Sequence, residues 1–246
     1  MFGFLKKKCY LRDSLEGLYD IHSHLLWGVD DGCRTPEESV EIAAKLQELG
    51  VKGAMLTPHI IYGIHGSRSE SDMRSRMEEM PSLGDFEVRL AAEYYLDEKF
   101  MEHINNPEGP LTMGDDWLLV EYGMGAMRAH NQDELFEVAL SGKNVIVAHP
   151  ERYAFAGDGL KSRELQRLTS KNYALQLNIL SLSGYYGDRV RKVAEELLLG
   201  GAYSFVGTDT HNVRYIQGLA EGVVSPKVVA PLAELVANNA RQIWKK

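Results

Sequence analysis

The sequence predicts an α/β protein built as a TIM-like seven-stranded (β/α)7 barrel, and three observations lead there. Short apolar runs alternate with segments of helical period, as a parallel sheet with helical crossovers requires. Residues ahead of the strand ends are nearly all apolar, which fits burial on both faces. Each run also stops at a side chain able to bind metal or hydrogen-bond: His22/His24, His59, Glu93, Glu121, His149, Asn178 and Asp209/His211. Barrel strand ends converge on one face, where such folds carry their sites. An open doubly wound sheet would not bring every strand end to one point.

Residues 1–14 read as an N-terminal tail and 15–246 as one domain of ordinary size for an α/β barrel. The first strand, 15–21, leads into His22-Ser23-His24 and the turn Gly28-Val29-Asp30-Asp31-Gly32. Side chains at i and i+2 of a strand point the same way, so His22 and His24 can reach one ion. A helix follows over 36–49, with Thr35 as N-cap, Pro36 at the first position and Glu38 completing a capping box, up to the stop at Gly50. Strand two, 51–57, ends at Pro58-His59; residues 60–70 form a mobile loop and 70–80 a charged helix. Strand three, 86–92, runs into Glu93 and is followed by a helix over 97–105 and a turn at 107–110. Strand four, 117–120, ends at Glu121; a helix over 131–141 is capped by Asn131 and stopped by Gly142. Strands five (145–148) and six (173–177) end at His149 and Asn178. An amphipathic helix at 187–200 precedes strand seven, 203–206, which ends at Gly207-Thr208-Asp209, and a helix over 226–243 closes the chain.

Bulk numbers exclude several classes. A formal net charge of −8 argues against a nucleic-acid partner, which would call for a basic face. Cys9 and Cys33 are too few for a disulfide framework or a thiolate site, and a reducing cytoplasm is the natural setting. No apolar run reaches membrane-spanning length of about 20 residues. Ahead of Lys6-Lys7-Lys8 the start is too short, and its charges fall on the wrong side, for a signal peptide. A disordered tail is expected there, with weak contact to a membrane or to a basic-seeking partner as the alternative.

Five of the eight histidines (His22, His24, His59, His149, His211) stand at strand ends, while His65, His103 and His130 read as surface or lid residues. With Asp31, Glu93, Glu121 and Asp209 they make nine nitrogen and oxygen ligands, too many for one ion and suited to two or three bridged by a carboxylate such as Glu93. Without thiolates the set fits Mn, Fe, Zn or Mg better than copper. Clustered metals suggest hydrolysis, since they make hydroxide available and clamp an in-line displacement at phosphorus. Arg152 and Arg214, near these ends, could fork onto phosphate oxygens, or could simply pair with Glu151 or a helix carboxylate. Neither cysteine starts the Cys-x5-Arg motif of thiol-dependent tyrosine phosphatases: six residues on stand Leu15 and Ser39.

His22-Ser23-His24 with Asp30-Asp31-Gly32, Thr57-Pro58-His59, Ala92-Glu93-Tyr94-Tyr95, Val120-Glu121-Tyr122, Ala148-His149-Pro150-Glu151-Arg152-Tyr153 and Gly207-Thr208-Asp209-Thr210-His211 resemble the polymerase-and-histidinol-phosphatase (PHP) family. More narrowly, they resemble its bacterial protein-tyrosine phosphatases encoded with capsule and exopolysaccharide genes. The resemblance implies a PHP-type barrel and a trinuclear site, commonly loaded with manganese. It places one ion on His22, His24, Glu93 and Asp209, a second on Glu93, Glu121 and His149, and a third on Asp31, His59 and His211. The family's two substrate arginines match Arg152 and Arg214, the latter at a shorter spacing after His211. Tyr62 and His65, in the glycine-containing loop, are expected to form a mobile rim that packs against the aromatic ring of the substrate rather than binding metal.

The resulting expectation is a metal-dependent phosphatase acting on phosphotyrosine in proteins, a bacterial tyrosine kinase of polysaccharide synthesis being the implied partner. Two other readings stay open: the same chemistry on a small phosphate monoester such as histidinol phosphate or a nucleotide, and a non-catalytic binding barrel.

Overall fold

The computed structural model describes residues 8–66, 68–114, 116–125 and 131–245. Its strands are β1 (Cys9–Tyr10), β2 (Tyr19–Ser23), β3 (Gly53–Leu56), β4 (His59–Ile60), β5 (Glu87–Leu90), β6 (Glu93–Tyr95), β7 (Trp117–Glu121), β8 (Asn144–Ala148), β9 (Ala174–Asn178), β10 (Phe205–Gly207) and β11 (Val223–Val224). Its helices are α1 (Pro36–Glu48), α2 (Glu70–Glu78), α3 (Phe100–Ile104), α4 (Asn131–Leu140), α5 (Arg163–Ser170), α6 (Asp188–Leu199), α7 (Val213–Glu221) and α8 (Val229–Gln242).

Local chemistry accounts for the boundaries. The Thr35 hydroxyl accepts the Glu38 N–H and Pro36 occupies the first turn, as the cap pattern predicts. Glu38 does not close the capping box: its carboxylate accepts the Arg34 N–H at 2.7 Å instead. α3 is shorter than the expected 97–105, because the Asp97 carboxylate turns to accept the N–H groups of Tyr62 and Lys99. α5 and α7 were not expected; Ser162 and Asn212 start them by accepting from Leu165 N and Arg214 N.

The strands fall into a six-stranded parallel sheet, β10-β9-β8-β7-β6-β4, and a three-stranded parallel sheet, β2-β3-β5, where one seven-stranded ring was expected. The division arises because the chain pairs again just past the ends of two expected strands: β4, which takes Ile60 from the expected loop, follows 51–57, and β6 follows 86–92. Between β3 and β4 the chain passes Pro58, which has no N–H to give to a ladder. Between β5 and β6 it passes Ala91-Ala92, yet Ala91 N still donates to Leu56 O at 2.9 Å and Glu93 N to Pro58 O at 3.1 Å. Beside β2, Asp209 N donates to His22 O at 2.8 Å and His24 N to Thr210 O at 3.0 Å.

The expected tail also needs correction. Cys9 and Tyr10 pair antiparallel with Val224 and Val223, and Leu11 is wholly buried in a short 3-10 turn, Leu11–Ser14. An apolar side chain and a run of backbone hydrogen bonds tie this stretch to the body. Residues 1–7, with Lys6 and Lys7, and His130 lie outside the described residues. No helix among the described residues is long and apolar enough to cross a membrane.

Two apolar clusters form the core. The larger lies between sheets and helices and includes Leu18, Leu46, Phe100, Leu118, Leu177 and Leu232. The smaller gathers Ile21, Met55, Ala91, Leu119, Ile146, Ala174 and Phe205 from the successive strand segments, together with Ile243 and Trp244. Trp244 stacks on Tyr19 at 4.8 Å and donates to Glu87. The inner cluster thus sits beneath the strand ends and holds them together. Phe205, 1% exposed with its ring edge-on to Trp117, is its largest strand-borne member. Phe205→Ala should cost about 3–5 kcal/mol of unfolding free energy in urea; a loss under about 1 kcal/mol would show that this cluster does not support the strands.

Candidate metal centre

Each strand end delivers its side chain to one place. β2 carries His22 and His24, whose Nε2 atoms stand 3.2 Å apart. Their other ring nitrogens are held from outside: His22 Nδ1 meets Gln176 Oε1 at 3.0 Å and His24 Nδ1 meets Asp30 Oδ2 at 2.7 Å. Such outer contacts orient an imidazole and choose which nitrogen faces a metal. Close backbone approach helps: a Cβ on Gly207 would lie 2.6 Å from the His22 Cβ. Asp20, buried beneath, accepts from Thr208 N and Oγ1, joining β2 to the stretch that carries Asp209 and His211.

Glu93 is the centre of the cluster. Its Oε2 lies 3.2 Å from His22 Nε2, 3.5 Å from His24 Nε2 and 3.1 Å from His59 Nδ1. Its Oε1 lies 3.1 Å from His149 Nε2, which is 3.8 Å from Glu121. Asp209 Oδ1 lies within 3.4 Å of both His22 and His24. At the outer side, Asp31 Oδ1 faces His59 Nε2 at 3.6 Å and His211 Nε2 at 3.5 Å. Four sets of ligand atoms are tight enough for an ion: His24/Asp31/His59/His211, His22/His24/Asp209, His22/Glu93/His149 and His59/Glu93/Glu121. All nine expected ligands are therefore brought together, though Glu121 groups with His59 rather than His149. His149 and Asp209 adopt left-handed backbone at φ 31° and 54°, a strained conformation that collects at functional sites.

The residues fit divalent ions. Glu93 Oε2 has zero exposure and no hydrogen-bond partner although three imidazoles surround it. An anionic oxygen so placed needs a cation. Burial alone would lower the His22 pKa, but the Glu93 and Asp209 carboxylates outweigh it and hold the ring at about 9. Burial, then the Glu93 charge, pushes the Glu121 carboxyl up to about 8. Burial and the Arg152 charge drop His149 to about 4, leaving a neutral ring ready to ligate. Glu93, despite its burial, is held well below the usual carboxylate range by His22 and His59.

The other expected site residues are placed unevenly. Arg152 Nη1 donates to Asp209 Oδ2 at 2.6 Å and its guanidinium lies 4.6 Å from the Tyr186 ring centroid, so it pairs with Asp209, an expected ligand, rather than with Glu151. Glu151 is buried and bonded to Ser181, Tyr203 and Asn178 N. Arg214 is exposed at the start of α7, lining an outer groove with Tyr185 and Gln217. Tyr62 is half exposed at the rim of a cavity of about 320 Å³ with Arg68, Lys99 and His103. Sequence reasoning missed Asp30 and Gln176 as orienting residues. Gln176 had a signal, being a polar side chain inside an otherwise apolar buried strand.

A family model described as "Capsular polysaccharide synthesis, CpsB/CapC" matches residues 18–218. Tyrosine-protein phosphatase CpsB of Streptococcus pneumoniae is 26% identical over 242 residues, covering 92% of this chain and 98% of that one. Tyrosine-protein phosphatase YwqE of Bacillus subtilis is 24% identical over 243 residues, covering 90% and 92%. A crystal structure from work on YwqE and CpsB, described as "unique metal-dependent tyrosine phosphatases", superposes with a TM-score of 0.71 at 22% identity over 91% of this chain and 93% of that one.

With metals stripped, the protonated His22 and Glu121 make stability depend on pH. Both native pKa values exceed those of the unfolded chain (6.5 and 4.5), so the native state holds more protons and loses stability as pH rises. The His22 contribution is complete below 6.5 and gone above about 9. The chelator-treated protein should melt at lower temperature at pH 9 than at pH 7, by the equivalent of roughly 1–3 kcal/mol, and Mn2+ should remove most of that slope. A flat or rising Tm in the metal-free protein would contradict this charge arrangement.

Proposed function

As the chain belongs to the CpsB/CapC family of capsular polysaccharide synthesis, we propose that it is a metal-dependent protein-tyrosine phosphatase. The observation that carries this reading is the buried Glu93 carboxylate ringed by imidazoles, with Asp209, Glu121 and Asp31 completing the set. The names of its relatives CpsB and YwqE support the substrate class. Three ions, manganese foremost, are proposed: one on His22, His24, Glu93 and Asp209, one on Glu93, Glu121 and His149, one on Asp31, His59 and His211. We also read the two parallel sheets as one PHP-type (β/α)7 barrel. The hydrogen bonds from Asp209 N and His24 N beside β2, and the inner cluster that takes side chains from β2, β3, β7, β8, β9 and β10, support it.

Ions in such a site would make hydroxide available near neutral pH and offset charge on a phosphoryl group. The chain's own part is positional. Asp209 and Tyr186 hold the Arg152 guanidinium at the edge of the cluster, where its planar fork suits phosphoryl oxygens. Arg214, three residues beyond His211, is the second proposed phosphate arginine and must turn inward from the α7 surface to serve. Tyr62 is proposed as a rim against the phosphotyrosine ring. A phenolate with a pKa of about 10 departs without strong acid help, so no dedicated general acid is required. Thiol chemistry is not the route: burial pushes the Cys33 thiol up to about 11, leaving it protonated. The proposed partner is a phosphorylated bacterial tyrosine kinase of polysaccharide synthesis, met in the cytoplasm.

Purified protein loaded with Mn2+ should hydrolyse a phosphotyrosine peptide in preference to histidinol phosphate, and chelation should abolish the activity. Preference for histidinol phosphate would move the assignment to small phosphate esters. Cys33→Ser should keep its rate. Arg152→Lys, which retains charge but loses the fork, should lose about 2–4 kcal/mol of transition-state stabilisation, roughly 30-fold to 1000-fold in rate. A wild-type rate would reduce Arg152 to a salt-bridge partner of Asp209.

A further inference from the structure

His65 was read as a surface or lid residue, but the fold turns it inward. Its Nε2 lies 3.8 Å from Asp31 Oδ1, the oxygen that His59 Nε2 approaches to 3.6 Å and His211 Nε2 to 3.5 Å. Three imidazole nitrogens thus surround one carboxylate oxygen, all beyond hydrogen-bond distance of about 3.2 Å. Two ligand atoms each about 2.1 Å from a tetrahedral ion stand about 3.4 Å apart, so the spacing is close to that of ligands around a shared ion. The His65 ring lies parallel to that of His59 at 7°, with centroids 5.8 Å apart. Its backbone is left-handed at φ 52°, a conformation it shares with His149 and Asp209 and with one other non-glycine residue among those described, Asn172. Gly63 and Gly66 flank it at φ 76° and 78°, and a Cβ at either would meet nothing, so they serve the turn rather than packing.

We propose that His65 is a further protein ligand of the outermost ion, beside Asp31, His59 and His211. It lies outside the tight ligand group His24/Asp31/His59/His211 and joins by a small shift of its glycine-flanked loop. Its side chain is 25% exposed, the most open of the histidines here, so it closes the outer ion from the solvent side. This inference rests on the metal-site reading above.

The test counts Mn2+ per chain at graded free Mn2+ set by a competing chelator, and records the visible absorption of the Co2+-loaded protein. In His65→Ala, filling the weakest site should need at least about tenfold more free Mn2+, with the remaining ions unaffected and an altered cobalt spectrum. Imidazole added to His65→Gly should restore part of the loss. Ile64→Ala, at an exposed neighbour, should bind as wild type. Melting of the metal-free variants should match the metal-free wild type, which separates a lost ligand from a disturbed fold. Wild-type Mn2+ affinity and an unchanged cobalt spectrum in His65→Ala overturn the inference while leaving the phosphatase reading intact. A wild type that binds no Mn2+ overturns both.

Discussion

A carboxylate with zero exposure and no hydrogen bond to one of its oxygens is the constraint on which this structure turns. Glu93 Oε2 sits among His22, His24 and His59 at 3.1–3.5 Å. Leaving such a charge unpaired would cost several kcal/mol. Protons on the imidazoles satisfy it in part, divalent ions more fully, and the two compete for the same lone pairs. Three of the histidines are gripped from behind and cannot relax away. Asp30 holds His24, Gln176 holds His22, and the backbone carbonyl of Asp209 accepts from His211 Nδ1 at 2.9 Å.

The same constraint explains why the scaffold is so uniformly apolar below the site. Ile21, Met55, Ala91, Leu119, Ile146, Ala174 and Phe205 stand under the strand ends and offer no polar partner. Asp20 lies deep beside them, bonded to Thr208 and to the His22 N–H, and so ties the segment of His22 and His24 to that of Asp209 and His211. Arg152 is tied in through Asp209.

Much of this was legible in the sequence, since alternation of apolar runs with helical segments and the residue at each strand end are local features. The parts that were not legible depend on tertiary contact. Pro58 was visible, but the division of the strands into two sheets follows from which hydrogen bonds survive around it. Leu11 looked like part of a tail because the contacts that hold it, its N–H on Gly222 O and the pairing of Cys9 and Tyr10 with Val224 and Val223, lie roughly 200 residues away. α5 and α7 were missed although Leu165/Leu168 and Ile216/Leu219 fall in helical period, because the two helices are short, at 8 and 9 residues. His65 read as a loop residue because nothing local reveals that glycine-flanked left-handed backbone aims it at Asp31.

The claim that Glu93 joins the ions into one cluster is tested most directly by counting metal. After equilibration with Mn2+ and removal of the excess, the wild type should carry close to three ions per chain. Glu93→Ala, which deletes the shared carboxylate, should keep one at most while its far-UV spectrum stays native. An equal metal content in the two proteins would contradict the account.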